Sequence, residues 1–159
     1  MNELYIFKYI SKFYKKHLYN FRTDDFPNML LYGSDKFQQY YFIKKFIKQI
    51  YNIDDKDITE QTYKINNSKS FKFRSSMNHY ELIINKKNYL IVHNIIDFIK
   101  DLTSGNSFNK KIRYIILINV DELHKNIQWG LRSILEKTSS TTRYILTCSG
   151  LNKIENAII

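Results

Sequence analysis

The residues best placed to do chemistry surround Gly33. The segment "GSDKFQQYY" follows the apolar run "MLLYG" and invites comparison with a phosphate loop, Gly-x-x-x-x-Gly-Lys-Ser/Thr. In such a loop the glycines let backbone N–H groups wrap the phosphates, the lysine meets their charge and the hydroxyl holds magnesium. Counting from Gly33, the last three places hold Gln38, Gln39 and Tyr40. Every requirement after the first glycine is unmet, so the expectation is no cofactor, with ATP and magnesium binding lost. Lys36 lies three residues before the lysine position, and a shifted loop could use it. A second segment, "LINVDEL", sets Asp121 and Glu122 after an apolar run; taken alone, such a pair could position a metal and activate water. The four histidines, His17, His79, His93 and His124, show no paired ligand spacing, and the lone Cys148 adds none, which speaks against a zinc site. No serine sits in a nucleophile elbow. No catalytic residue and no metal ligand are assigned.

These residues need a folded scaffold, and the composition allows one. At 159 residues the chain fits a single domain spanning 1–159, large enough to bury about two thirds of its unfolded surface. Gly 4, Pro 1 and 43% hydrophobic content argue against disorder or a long linker. Tyr 13, Phe 11 and abundant Asn, Lys and Ile have the stamp of an AT-rich genome. A net charge of +10 and a pI near 9.5 favour polyanionic partners, although AT-rich codons also raise lysine content without any binding role. No run approaches about 18 apolar residues, and the start "MNELYIFKYISKFYKKH" is unlike a signal peptide. The expectation is a protein without a membrane partner, in a reducing intracellular compartment.

The scaffold reads as alternating strands and helices. From Leu4 to Leu18, apolar residues recur at three- and four-residue steps, the period of an amphipathic helix. "MLLYG" reads as a buried strand, Phe37 to Tyr51 as a second helix, and "NIDDKDITEQ" as a polar loop. "TYKI", "FKFRS" and "YELII" are short strands, and "YLIVHNIIDFIKDL" is a helix. "IRYIILINV" is apolar enough for a central strand buried on both faces, followed by a helix from His124 to Lys137 and a strand from Arg143 to Cys148. Strands alternating with helices give an α/β sandwich with a largely parallel sheet.

Four segments carry a resemblance to a known family. "FPNMLLYG" resembles the Leu-Pro-His-Leu-Leu-Leu-Tyr-Gly strand of clamp-loader small subunits, and "SSMNHYELII" their Ser-Ser-Pro-Tyr-His-Leu-Glu segment. "LHKNIQWGLRSILEKTSSTTRYIL" resembles their Leu-Arg-Arg-Thr-Met-Glu-Lys helix and following strand, and "LNKIENAI" the segment before their Ser-Arg-Cys motif. The chain resembles the replication factor C type of small subunit, in a divergent form with a viral source among the expectations. The resemblance implies an AAA+ P-loop NTPase-like α/β/α sandwich with a largely parallel central sheet. Lid and collar domains do not appear in the sequence, which implies either one domain of a longer protein or a shortened product.

The resemblance also sets the register of the remaining site. Anchored on Leu123, the family's catalytic Asp-Glu pair falls on Ile118 and Asn119, and its sensor Asn on Ser149. Asp121 and Glu122 then begin the next helix, where acids complement the dipole. A pseudo-ATPase is implied, a non-hydrolysing subunit that scaffolds sliding-clamp loading in DNA replication, in the nucleus or at a cytoplasmic replication site. Its implied partners are other clamp-loader-like subunits, the sliding clamp, and duplex or primer-template DNA. Lys86 and Lys87 before one helix, and His124 and Lys125 opening another, are the DNA-contact candidates. Lys12, Lys15, Lys16, Lys44, Lys45 and Lys48 read as solvated helix faces, and Trp129 as a packing or subunit-interface residue. Two alternatives stay open: a stand-alone nucleic-acid-binding protein on a degenerate P-loop fold, and an ATPase with an altered phosphate loop.

Overall fold

The computed structural model describes residues 4–8, 27–51, 55–77, 79–104, 112–156 and 158. In chain order the elements are β1 (Leu4–Lys8), β2 (Asn28–Tyr32), α1 (Lys36–Tyr51), β3 (Thr59–Lys64), β4 (Ser70–Ser75), β5 (His79–Ile83), α2 (Tyr89–Ser104), β6 (Arg113–Ile118), α3 (Lys125–Lys137) and β7 (Thr142–Cys148). Among the described residues they form one seven-stranded sheet in the order β1-β2-β7-β6-β5-β4-β3. The pairs from β1 through β5 are parallel. The β3–β4–β5 pairs are antiparallel and extend one side of the sheet.

β6 takes the middle position, as its unbroken apolar run requires. Tyr114, Ile116 and Ile118 face one way, joined by Met29, Leu31 and Ile145, and α1 covers them with Phe42, Ile43, Phe46 and Ile47. Ile115 and Leu117 face the other way with Leu30, Leu82 and Leu146. That side meets Ile91, Ile95, Phe98 and Ile99 of α2 and Leu131, Ile134 and Leu135 of α3. Each fully buried aliphatic or aromatic side chain contributes roughly 1.5–3 kcal/mol, so these two layers dominate the stability of the α/β/α sandwich. At the antiparallel end Tyr63, Phe71 and Phe73 each pack on the ring of Phe98 with centroids 5.0–5.3 Å apart.

Two expectations are overturned. Leu4–Lys8 is a strand, not the start of a helix, and the rest of that expected helix, with Lys12, Lys15 and Lys16, lies outside the described residues. "LYIFK" alternates aromatic and aliphatic residues, a pattern that suits a strand, and β1 pairs with the open side of β2 from Leu4↔Asn28 to Lys8↔Tyr32, satisfying backbone groups a helix would leave exposed. The polar stretch read as a loop contains a 3₁₀ turn, Asp55–Asp57, and the first residues of β3. There the ladder to β4 from Thr59↔Ser75 to Lys64↔Ser70 supplies the order that hydrophobic alternation does not signal.

Candidate functional site

β2, β7, β6 and β5 all point their carboxyl ends to one edge of the sheet, the place where open α/β folds bind ligands. Gly33 opens this edge with φ 155°, a conformation in which a side chain would be strained, and its N–H donates to Cys148 O at 3.1 Å. Only Gly33, Ser34 and Asp35 separate β2 from α1. The Asp35 carboxylate accepts from the N–H of Gln38 at 3.0 Å, and Asp35 O accepts the helical bond from Gln39 N–H at 3.2 Å. An N-cap of this kind satisfies donors that a phosphate loop would turn to its ligand. Positions 38–40 therefore lie within the first turns of a helix rather than in a loop.

Gln39, at the lysine position of the phosphate motif, points inward. It is buried, and its amide donates to Gly33 O at 2.9 Å and Cys148 O at 3.0 Å, tying the ends of β2 and β7 together. Tyr40 points away from the edge toward β4, where its hydroxyl accepts from Arg74. Lys36 opens α1 and reaches Glu122 at 3.4 Å; the other Glu122 oxygen accepts from the N–H of Lys86 at 2.9 Å.

Ile118 ends β6 and packs under α1. Asn119 follows in the left-handed region, φ 64°, a conformation Asn tolerates better than most residues. Its N–H donates to Thr147 Oγ1 at 3.0 Å and its amide to Ile84 O at 3.3 Å, so it joins the ends of β5 and β7. Asp121 and Glu122 do not begin the next helix, contrary to expectation. They form a separate 3₁₀ turn, Val120–Glu122, and α3 starts at Lys125 after His124. The turn carries both carboxylates back over the sheet edge, where Asp121 accepts from the Ser149 hydroxyl and Glu122 meets Lys36. Burial, with a smaller effect of Asp121, pushes the Cys148 thiol up to about 12, so it stays protonated and unreactive.

The DNA-contact candidates come to the same edge. Lys86 and Lys87 form the exposed turn before α2, whose first turn is capped by Asn88 Oδ1 accepting from Ile91 N–H at 3.4 Å. His124 is the exposed N-cap of α3. Lys125 is exposed but paired with Glu155 at 2.8 Å, and that hydrogen bond raises its pKa. Lys44 and Lys45 lie over the rings of Tyr40 and Tyr41 on α1. Trp129 is 54% exposed and does not fill the core; the inward position of α3 beside it belongs to Gln128.

Sequence reasoning missed the buried amides. Gln128 donates to Leu123 O and Lys153 O, both at 3.1 Å, and accepts from Glu155 N–H at 2.8 Å. Its signal was available, since Gln128 shares a helical stripe with Leu131 and Leu135, as Gln39 does with Phe42 and Phe46. The "SSMNHYELII" segment also proves to hold buried polar groups. The Ser76 hydroxyl meets His79 Nδ1, and burial, with a smaller effect of Arg74, lowers the His79 pKa to about 4. Glu81 is buried against Arg74, which also meets Tyr40. Among the described residues no cluster of three or more His, Cys, Asp or Glu could hold a metal, and no helix is long and apolar enough to cross a membrane.

No protein-family model matches the chain. Individual proteins do. Replication factor C subunit 3 of Arabidopsis thaliana is 27% identical over 145 residues, covering 84% of this chain and 41% of the relative. A protein of Acanthamoeba polyphaga mimivirus named as a replication factor C small subunit is 25% identical over 143 residues, 83% of this chain and 38% of the relative. Replication factor C subunit 3 of Homo sapiens is 24% identical over 138 residues, 82% of this chain and 39% of the relative. The chain thus spans about two fifths of the length of these curated relatives. Over most of its length the chain is similar, in divergent form, to replication factor C small subunits, and its α/β/α sandwich with a mostly parallel sheet is of the AAA+ P-loop type that these relatives imply.

Proposed function

We propose that this chain serves as a non-hydrolysing clamp-loader small subunit in DNA replication, scaffolding sliding-clamp loading beside other clamp-loader-like subunits and contacting the DNA backbone. The observation that carries the non-hydrolysing part is the Gly33–Lys36 connection. With α1 already formed at Lys36, capped by Asp35 and stapled through Gln39, only Gly33, Ser34 and Asp35 remain as connection, shorter than the loop that wraps a triphosphate. A scaffold needs a rigid edge, and the buried amides of Gln39, Asn119 and Gln128 provide one without nucleotide. Lys86, Lys87, His124 and Lys125 stand at helix N-termini, where cations and the helix dipole together hold phosphates irrespective of base sequence.

Copurification from the native source tests the assembly: other clamp-loader-like subunits should accompany the chain, and their absence would favour a stand-alone nucleic-acid-binding protein. Equilibrium dialysis tests the lost site, with no uptake of magnesium-ATP expected at micromolar concentration. One observation favours a second reading, an ATPase with an altered loop. Lys36, Asp121 and Glu122 are gathered at the carboxyl edge. Micromolar ATP binding abolished by Lys36→Ala would establish that reading instead.

A further inference from the structure

Exposed apolar side chains gather where the basic residues do. Phe37 is 78% exposed, Tyr89 65% and Ile83 51%. Phe37 is the second residue of α1, Ile83 the last of β5 and Tyr89 the first of α2, so all three stand at the carboxyl edge. Glu122 brings them together: Lys36, just before Phe37, and the Lys86 N–H, in the turn before Tyr89, bind the two oxygens of its one carboxylate at 3.4 and 2.9 Å. The Tyr89 ring rests against the His93 imidazole with centroids 4.0 Å apart, which holds it as a flat platform.

Lysines and carboxylates stand at this edge in equal number, and the lysines are the more exposed. Lys86 and Lys87 are exposed and Lys36 is half exposed. The acids at the edge are engaged internally, Asp35 by the Gln38 N–H, Asp121 by Ser149 and Glu122 by Lys36 and Lys86. α2 is capped by the neutral amide of Asn88, and its own first turn carries no acidic residue. An apolar partner would strand the lysines, and duplex DNA, whose base faces are already stacked, would leave Phe37 and Tyr89 in water. An unpaired strand offers both phosphates for the lysines and open base faces for the rings.

We propose that the carboxyl edge between Phe37 and Tyr89 binds an unpaired nucleic-acid strand, its bases stacking on the two rings and its phosphates meeting Lys36, Lys86 and Lys87. The proposal rests on the nucleic-acid contact proposed above and adds the unpaired bases to it. Fluorescence anisotropy on the full chain tests it, with a dye-labelled oligothymidylate of about 16 nucleotides and a mixed-sequence duplex of the same length. The wild type should prefer the single strand. Phe37→Ala with Tyr89→Ala should weaken single-strand binding by about fivefold or more for each ring and leave duplex binding unchanged. Lys86→Ala with Lys87→Ala should lower the single-strand salt slope by about 0.7 per lysine. Met77→Ala, at an 82% exposed residue in the turn before β5, is the control, and far-UV circular dichroism checks that each variant folds. Equal single-strand affinity for the ring variant and the wild type, or an equal loss in Met77→Ala, overturns the stacking surface. So does a wild-type preference for duplex, which would leave the backbone contact standing. Binding of neither probe at low salt overturns both, whatever copurifies with the chain.

Discussion

Replacing Gln39 by leucine removes two hydrogen-bond donors from a buried position while nearly conserving side-chain volume. Gly33 O then loses the amide at 2.9 Å, and Cys148 O keeps only the Gly33 N–H at 3.1 Å. Leaving buried acceptors short costs about 1–3 kcal/mol, and the apolar leucine returns part of it, so Gln39→Leu should lose about 2 kcal/mol. For a domain of this size that is a fall of about 4–8 °C in the melting temperature. Far-UV circular dichroism is the suitable probe, because Trp129 is largely in water already. Gln39→Lys is the more searching variant. It restores the lysine of the phosphate motif, yet should be at least as destabilised, since the ammonium would enter a buried site, and it should gain no ATP binding by equilibrium dialysis. A melting temperature for Gln39→Leu within about 1 °C of wild type would refute the stapling argument. ATP uptake by Gln39→Lys would refute the idea that the Asp35-capped helix has closed the site.

Four further outcomes are expected. The His79 imidazole titrates near 4 in the folded chain and near 6.5 when unfolded, so the unfolded state takes up the proton first as pH falls. Stability should therefore drop between about pH 6.5 and about pH 4, by up to about 3 kcal/mol in total, and urea midpoints at pH 7 and pH 5 should differ less in His79→Asn, which keeps an acceptor for Ser76. Arg74→Met strands the buried Glu81 carboxylate and should cost about 2 kcal/mol in urea unfolding, less than for a fully buried pair because Arg74 is partly in water; little change would mean that water already serves Glu81. Asn119→Ala puts alanine at φ 64° and deletes the bond to Ile84 O, for a loss of about 1–2 kcal/mol that Asn119→Gly should partly recover. In duplex titrations across a salt series, removing Lys86, Lys87 and Lys125 should lower the log–log slope by about 0.9 for each contact, whereas an equal effect from removing Lys12, Lys15 and Lys16 would reduce the binding to general surface charge.

The sequence by itself determined the layers. The unbroken apolar run of β6 required burial on both faces, and the helical periods of α1, α2 and α3 placed their boundaries within two residues of those observed. Hydrophobic periodicity is a local property, so it can be read without knowing the partners. The missing glycine, lysine and hydroxyl after Gly33 were equally legible, because a phosphate loop is a contiguous motif. What the vacated positions do instead was decided by tertiary structure. Gln39 bonds to a carbonyl 109 residues away, Asn119 bridges two strands that flank its own turn, and Glu122 turns out of the expected helix to join Lys36 with the Lys86 backbone. β1 was misread for the same reason: five residues carry too short a pattern to separate a strand from a helical turn, and it is the open side of β2 that selects the strand. A hydrogen bond from a side chain to a distant backbone carbonyl leaves no periodic trace in sequence, since any residue can supply the carbonyl, and only the packed sheet brings the two together.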